Sequence, residues 1–169
     1  KKVEELEDKY EAYQYYLDAV KRDGVPYDLI TKALPTIEGE VNNILAQLVD
    51  FQMLFEMDGK NINNYIVYDD DNVWPLELSS GMERFISSLA IRVGLINVSN
   101  LPRSNFLAID EGWGTMDSDN LNSVYSLFQY LKSQFQFTLI VSHIDSMRDA
   151  VDTLLEIKKE KDYSNIMFD

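Results

Sequence analysis

Asp110 and Glu111 are the residues of this chain whose types and spacing most directly suggest chemistry. They end an apolar run, Phe106-Leu107-Ala108-Ile109, that is too short for a lone helix, and Gly112 and Gly114 force a turn behind them. A buried parallel strand has this look when it delivers carboxylates to the carboxyl edge of a sheet, where α/β folds place their ligands. Adjacent carboxylates repel each other unless a cation or a reacting water lies between them. A solvated Asp-Glu-Gly surface turn is the plain alternative. The neighbouring segments bear on the choice. Ser80, thirty residues before Asp110, lies in Leu78-Ser79-Ser80-Gly81-Met82-Glu83-Arg84, which opens a long helix. A helix N-terminus suits an anion, because its first N–H groups are free and its dipole end is positive. Leu139-Ile140-Val141-Ser142-His143 is a second apolar strand, and it ends in the single histidine.

Periodicity gives the elements that must position these residues. Over residues 1–23, Val3, Leu6, Tyr10, Tyr13, Leu17 and Val20 recur in steps of three and four, an a/d heptad seam flanked by Glu4, Glu5, Lys9 and Glu11. Such a seam is too short to be stable alone. It is either the stump of a longer coiled-coil arm or an amphipathic helix packed on its own domain. Asp23-Gly24-Val25-Pro26 stops it. A short helix is expected over about 27–34, and Pro35 then starts another, with Ile37, Val41, Ile44, Leu45 and Leu48 as its stripe. From Phe51 the period becomes two, through Met53, Phe55 and Met57, a turn at Asp58-Gly59-Lys60-Asn61, and Ile62 to Tyr68; this predicts an antiparallel hairpin. Asp69-Asp70-Asp71-Asn72 reads as a solvated acidic loop rather than a metal site. Ser80 can cap the next helix and Glu83 completes a capping box, with Phe85, Ile86, Leu89, Ala90, Val93 and Ile96 on the buried side. Strands at 106–110, 137–142 and 153–159 then alternate with helices at about 118–133 and 145–150. That order predicts a parallel sheet with crossover helices. Residues 163–169 fit either an edge strand or a loose end.

The 169 residues are enough for one domain with a sizeable core, and 46% hydrophobic content excludes a disordered tail. Without cysteine, neither a disulfide framework nor a Cys-x-x-Cys zinc site is possible, which fits a reducing compartment. No apolar run approaches the roughly 20 residues of a membrane span and no signal peptide opens the chain, so a cytoplasmic, nucleoid or nuclear location without membrane is expected. Fifteen basic against 29 acidic residues give a net charge of −14, which argues against nucleic-acid binding over the general surface.

Taken in order, Ser80-Gly81-Met82-Glu83, Phe106–Asp110 with Glu111, Gly114–Asp117, and Ser142-His143 resemble the C-terminal half of an ABC-type ATPase head, in its SbcC-like branch of SMC-related DNA-repair ATPases. The resemblance covers residues 24–159 and is most specific at Asp110–Asp117. It implies an α/β fold, the C-terminal lobe of an ABC-type P-loop ATPase, with a coiled-coil helix at 1–23 and the head at 24–169. It also implies a site. Asp110 would hold Mg²⁺ through a water, Glu111 would polarise the attacking water, and His143 would hydrogen-bond that water or the γ-phosphate. Ser80, Gly81, Met82 and Glu83 would form the signature that meets ATP on the opposite head, with Thr115 and Asp117 in a D-loop across the dimer interface. Arg84 and Arg92 match arginines that relay the ATP state to the coiled coil. ATP and Mg²⁺ are the cofactors implied. The implied partners are the N-terminal P-loop half of the same ATPase, a second head, a nuclease subunit of SbcD type, and DNA bound through the assembled complex.

Two features depart from that pattern. The chain has no G-x-x-x-x-G-K-[ST] segment, so alone it is expected neither to bind ATP tightly nor to hydrolyse it. Met82 also stands where the family usually has a second glycine, at a cost of about 1 kcal/mol if that position needs φ > 0. Met82 is the feature favouring an alternative, a catalytically impaired head that serves as a coiled-coil scaffold or interaction module. A hydrolase using Asp110, Glu111 and His143 directly on a metal would need further ligands.

Overall fold

A computed structural model describes residues 2–59, 61–113 and 121–168. The chain divides into two compact units, Lys1–Leu101 and Pro102–Asp169.

In the first unit, helix α1 (Lys2–Val20) buries no side chain. Its seam residues Val3, Leu6, Tyr10, Tyr13, Leu17 and Val20 are all at least 50% exposed. The helix therefore does not pack that seam on its own domain. Helix α2 (Val25–Leu45) follows with Pro26 in its first turn, where a missing N–H costs little. It runs unbroken through Pro35, which corrects the expectation of two helices divided there. Proline removes one helical hydrogen bond and crowds the preceding turn. Here the turns around it are exposed, so the Thr31 carbonyl it frees can face water, while Leu34, Val41, Ile44 and Leu45 hold the helix in the core.

Strands β1 (Gln52–Asp58), β2 (Asn61–Asp69) and β3 (Asn72–Pro75) form an antiparallel sheet in that order. The expected hairpin thus gains a third strand. The acidic loop is its β2–β3 turn, where Asp69 accepts hydrogen bonds from the Asn72 side chain (2.7 and 2.8 Å) and the Asp71 N–H (3.0 Å). Those bonds, led by the one from Asn72, hold the Asp69 carboxyl below its usual range. Helix α3 (Gly81–Val98) packs against α2 and buries Ile86, Leu89, Ala90 and Val93; Phe51, just before β1, and Met53 and Ile66 of the sheet are also buried. At Gly94 an added Cβ would stand 3.0 Å from Val41 Cγ2, so glycine lets the two helices approach closely.

Helix α2 also seals the outer edge of β1. The Asn42 Nδ2 donates to the Met53 carbonyl at 2.9 Å and its Oδ1 accepts the Met53 N–H at 2.8 Å. Glu38, one turn earlier, accepts the Phe55 N–H at 2.8 Å. An edge strand is thereby paired by side chains instead of by another strand.

In the second unit, β4 (Phe106–Asp110) and β5 (Phe137–Val141) run parallel, Phe106 opposite Phe137 through Asp110 opposite Val141. Helix α4 (Leu121–Gln134) makes the crossover, and Ile109, Trp113, Val124, Leu127, Phe128, Leu131 and Phe135 form the core. Strand β4 is not buried on both faces as expected. Phe106, Phe137, Leu139 and Val141 are 40–59% exposed, so one face of the pair is open. The strand expected at 153–159 is β6 (Leu155–Glu160), and it pairs antiparallel with β7 (Tyr163–Phe168) instead of joining the parallel strands. The reason is local: a two-residue turn, with Lys161 at φ 49°, folds the chain back at once.

Replacing Asn42 by Ala should destabilise the protein by about 1–3 kcal/mol, because both Met53 backbone groups lose their partners at a covered edge. Urea unfolding measures this, and a loss under about 0.5 kcal/mol would show that water replaces the amide.

Candidate functional site

The α3 N-terminus is built as the sequence predicts. Ser80 is the N-cap with extended backbone; its Oγ accepts the Glu83 N–H at 3.2 Å, and Glu83 Oε2 accepts the Ser80 N–H at 2.6 Å. Because the hydroxyl oxygen already accepts, its own proton is left to donate elsewhere. The Gly81 and Met82 N–H groups belong to the first turn, where the helix supplies no partner. Ser79, the preceding serine, is buried and donates to the Leu76 carbonyl at 2.7 Å, which leaves Ser80 as the exposed hydroxyl. Met82 lies within the helix, and Glu111 and Lys161 are the positive-φ non-glycine residues among those described. The expected strain at Met82 is therefore absent: the backbone there does not require glycine. Arg84 and Arg92 are exposed on the same helix.

Tyr68 joins this cap and was not anticipated. Its hydroxyl donates to Glu83 Oε1 at 2.6 Å. Burial alone would push the Glu83 carboxyl up, but the hydrogen bonds from Tyr68 and Ser80 outweigh it and leave the group below its usual range. Burial first, and then the bond to Glu83, push the Tyr68 phenol up to about 12. The network therefore keeps an ionised acceptor and a protonated donor through neutral pH.

At the other unit, the Glu111 N–H donates to the Val141 carbonyl at 3.1 Å, one residue past the last strand pair. Asp110–Glu111 and Ser142–His143 thus leave the sheet from neighbouring points on one carboxyl edge. Asp110, Glu111 and His143 are all exposed. Ser142 Oγ accepts the Ile144 N–H at 3.1 Å and tightens the turn after His143. Glu111 sits at φ 60° and Gly112 at φ 96°, so the chain reverses sharply there. Trp113 follows, 1% exposed, edge-on to Phe128 of α4 at 5.4 Å. Burying an indole removes roughly 200 Å² of surface, worth about 5 kcal/mol, against about 1–2 kcal/mol for a left-handed glutamate. The anchor outweighs the strain. Its sequence signal was an isolated tryptophan between two glycines. Thr115 and Asp117 lie outside the described residues.

No family model matches the chain. It is 36% identical over 171 residues to an uncharacterised protein, R555, of Acanthamoeba polyphaga mimivirus, covering 92% of this chain and 13% of that one. It is 31% identical over 93 residues to the SbcC component of the nuclease SbcCD from Staphylococcus aureus, covering 53% of this chain and 9% of that protein. In fold it resembles the Smc head domain of Pyrococcus furiosus, solved with an extended coiled coil and bound to the C-terminal domain of ScpA. That likeness has a TM-score of 0.66 at 17% identity and covers 98% of this chain and 42% of that one. The chain matches the C-terminal half of an SbcC/SMC-like ATPase head. The SbcC/SMC-like lobe so defined spans about a tenth of the curated relatives' length.

At Glu111 the left-handed backbone inverts a usual ranking. Glu111→Gly should be more stable than Glu111→Ala by about 1 kcal/mol, whereas glycine is the worse of the two in ordinary helical backbone. Chemical denaturation of the two variants checks this; alanine being the more stable would show that the turn relaxes.

Proposed function

We propose that this SbcC/SMC-like lobe supplies the hydrolytic strand ends and the signature helix of an ATPase that works at the interface of two heads. The observation that carries the reading is the Asp110–Val141 register, which starts two chemistry-bearing turns from one sheet edge. Asp110 would hold Mg²⁺. That ion needs only one or two carboxylates with phosphate and water, which two exposed adjacent acids fit. A hydrolase that used Asp110, Glu111 and His143 directly on a metal would need further ligands. When bound, Mg²⁺–ATP supplies the electrophilic phosphorus and neutralises its oxygens. Glu111 accepts a proton from, and so polarises, the attacking water; His143 donates to that water or to the γ-phosphate. Ser80 Oγ and the Gly81 N–H donate to the phosphates on the opposite head, with Met82 and Glu83 completing the signature; a D-loop role for Thr115 and Asp117, outside the described residues, goes with this reading.

A phosphate cradle must come from a segment other than this one, the P-loop half of the same ATPase. Two bare surfaces support that pairing: the α1 seam and the open face of the β4–β5 pair, since parallel strands are stable when both faces are covered. The likeness to the SbcC component of SbcCD supports control of a DNA-end nuclease of SbcD type. DNA would reach the complex through its other parts, given a net charge of −14 here. Backbone strain gives the impaired-scaffold alternative no support, because Met82 sits in unstrained helix.

In the full ATPase, Glu111→Gln should abolish hydrolysis and leave ATP-driven dimerisation intact, because the amide keeps size but cannot take up the proton. Turnover within threefold of wild type would remove Glu111 from this role. Replacing Leu6 and Leu17 by Asp should weaken association with the P-loop half, and unchanged sedimentation of the pair would show that the seam is not the contact.

A further inference from the structure

We infer that Tyr68 is a positioning residue for the signature helix, setting the Ser80 cap through Glu83 so that it can receive a phosphate from a second head. This rests on the proposed role of α3 as the signature helix. Between β2 and β3 the pairs run Tyr65 with Pro75, Ile66 with Trp74, Val67 with Val73, and then Asp69 with Asn72. Tyr68 is the extra residue of a bulge. A bulge bends its strand and re-aims the side chain it carries, and here the side chain goes to the helix cap. The ring stands between Phe51, with centroids 5.6 Å apart, and Trp74, at 5.4 Å, which limits its rotamers. Its hydroxyl then meets Glu83 Oε1 at 2.6 Å.

The geometry has a use that a capping box alone lacks. Glu83 has three side-chain torsions, and one bond from the Ser80 N–H would leave its second oxygen free to swing. A carboxylate loose beside a helix N-terminus competes with an incoming phosphate for the same N–H groups and repels it. With Oε2 on the Ser80 N–H and Oε1 on Tyr68, both oxygens are turned toward the protein's own donors. The Ser80 hydroxyl and the next two N–H groups are left for the anion.

The test uses the full ATPase and compares Mg²⁺–ATP-driven dimerisation by light scattering with nucleotide bound per head. Tyr68→Phe keeps the ring and deletes the hydroxyl. It should raise the dimer dissociation constant about tenfold, the scale of one half-exposed bond to a charged group, at unchanged nucleotide occupancy. Glu83→Ala should be at least as impaired, and adding Tyr68→Phe to it should change nothing further. Tyr65→Phe, which deletes a hydroxyl of the same strand that is not bonded to the cap, should dimerise like wild type. Wild-type dimerisation by Tyr68→Phe, additive losses in the double variant, or an equal defect in Tyr65→Phe would overturn the role of Tyr68. If Ser80→Arg meanwhile stays monomeric at equal occupancy, the signature reading survives that failure. A Ser80→Arg variant that still dimerises would overturn the signature reading and this inference together.

Discussion

The bond from the Glu111 N–H to the Val141 carbonyl is the last rung between β4 and β5, and the candidate hydrolytic edge hangs from it. Up to Asp110 the two backbones run in register and their side chains alternate between faces. One residue later the left-handed turn at Glu111 ends the strand, Gly112 continues the reversal, and Trp113 pins the returning chain in the core. Strain, glycine and anchor act on three consecutive residues. Together they hold two carboxylates in water at a defined edge, which neither a longer strand nor an unanchored loop would do.

The other chemistry-bearing element solves a different problem. A helix N-terminus attracts anions only while its first N–H groups stay open, yet a cap must occupy some of them for the helix to start cleanly. Ser80 and Glu83 take each other's N–H groups and leave those between them. The sheet contributes Tyr68, so the state of the cap is tied to the packing of β2 and β3 as well as to α3.

Both units carry apolar surface that a finished domain would cover. In the first, the α1 seam is exposed, and so are Val25, Leu29 and Ile30 at the start of α2. In the second, Phe106, Phe137, Leu139 and Val141 line one face of the parallel pair, and Ile157 and Ile166 stand opposite each other on the β6–β7 hairpin. Contiguous exposed apolar patches mark interaction surfaces.

The sequence by itself determined the elements whose signals are local. Strand 106–110, the capping box at Ser80 and Glu83, the turn at Gly59 and the seam of α1 each follow from a period or from a residue's own backbone preference. Pro35 misled because its penalty depends on surroundings: exposed turns let α2 absorb a break that local preference alone would impose. At Met82 the condition for strain, a positive φ, is not met, since the residue lies within α3. What only tertiary structure decided are matters of register and partnership. A bulge exists relative to a partner strand, so Tyr68 had no signature of its own in the chain. Likewise β6 had the composition of a sheet strand, but its pairing partner is β7, which a two-residue turn brings back alongside it. Local preferences act within a few residues, whereas burial and pairing are properties of segments far apart in sequence, and the site at Asp110, Glu111 and His143 needed both.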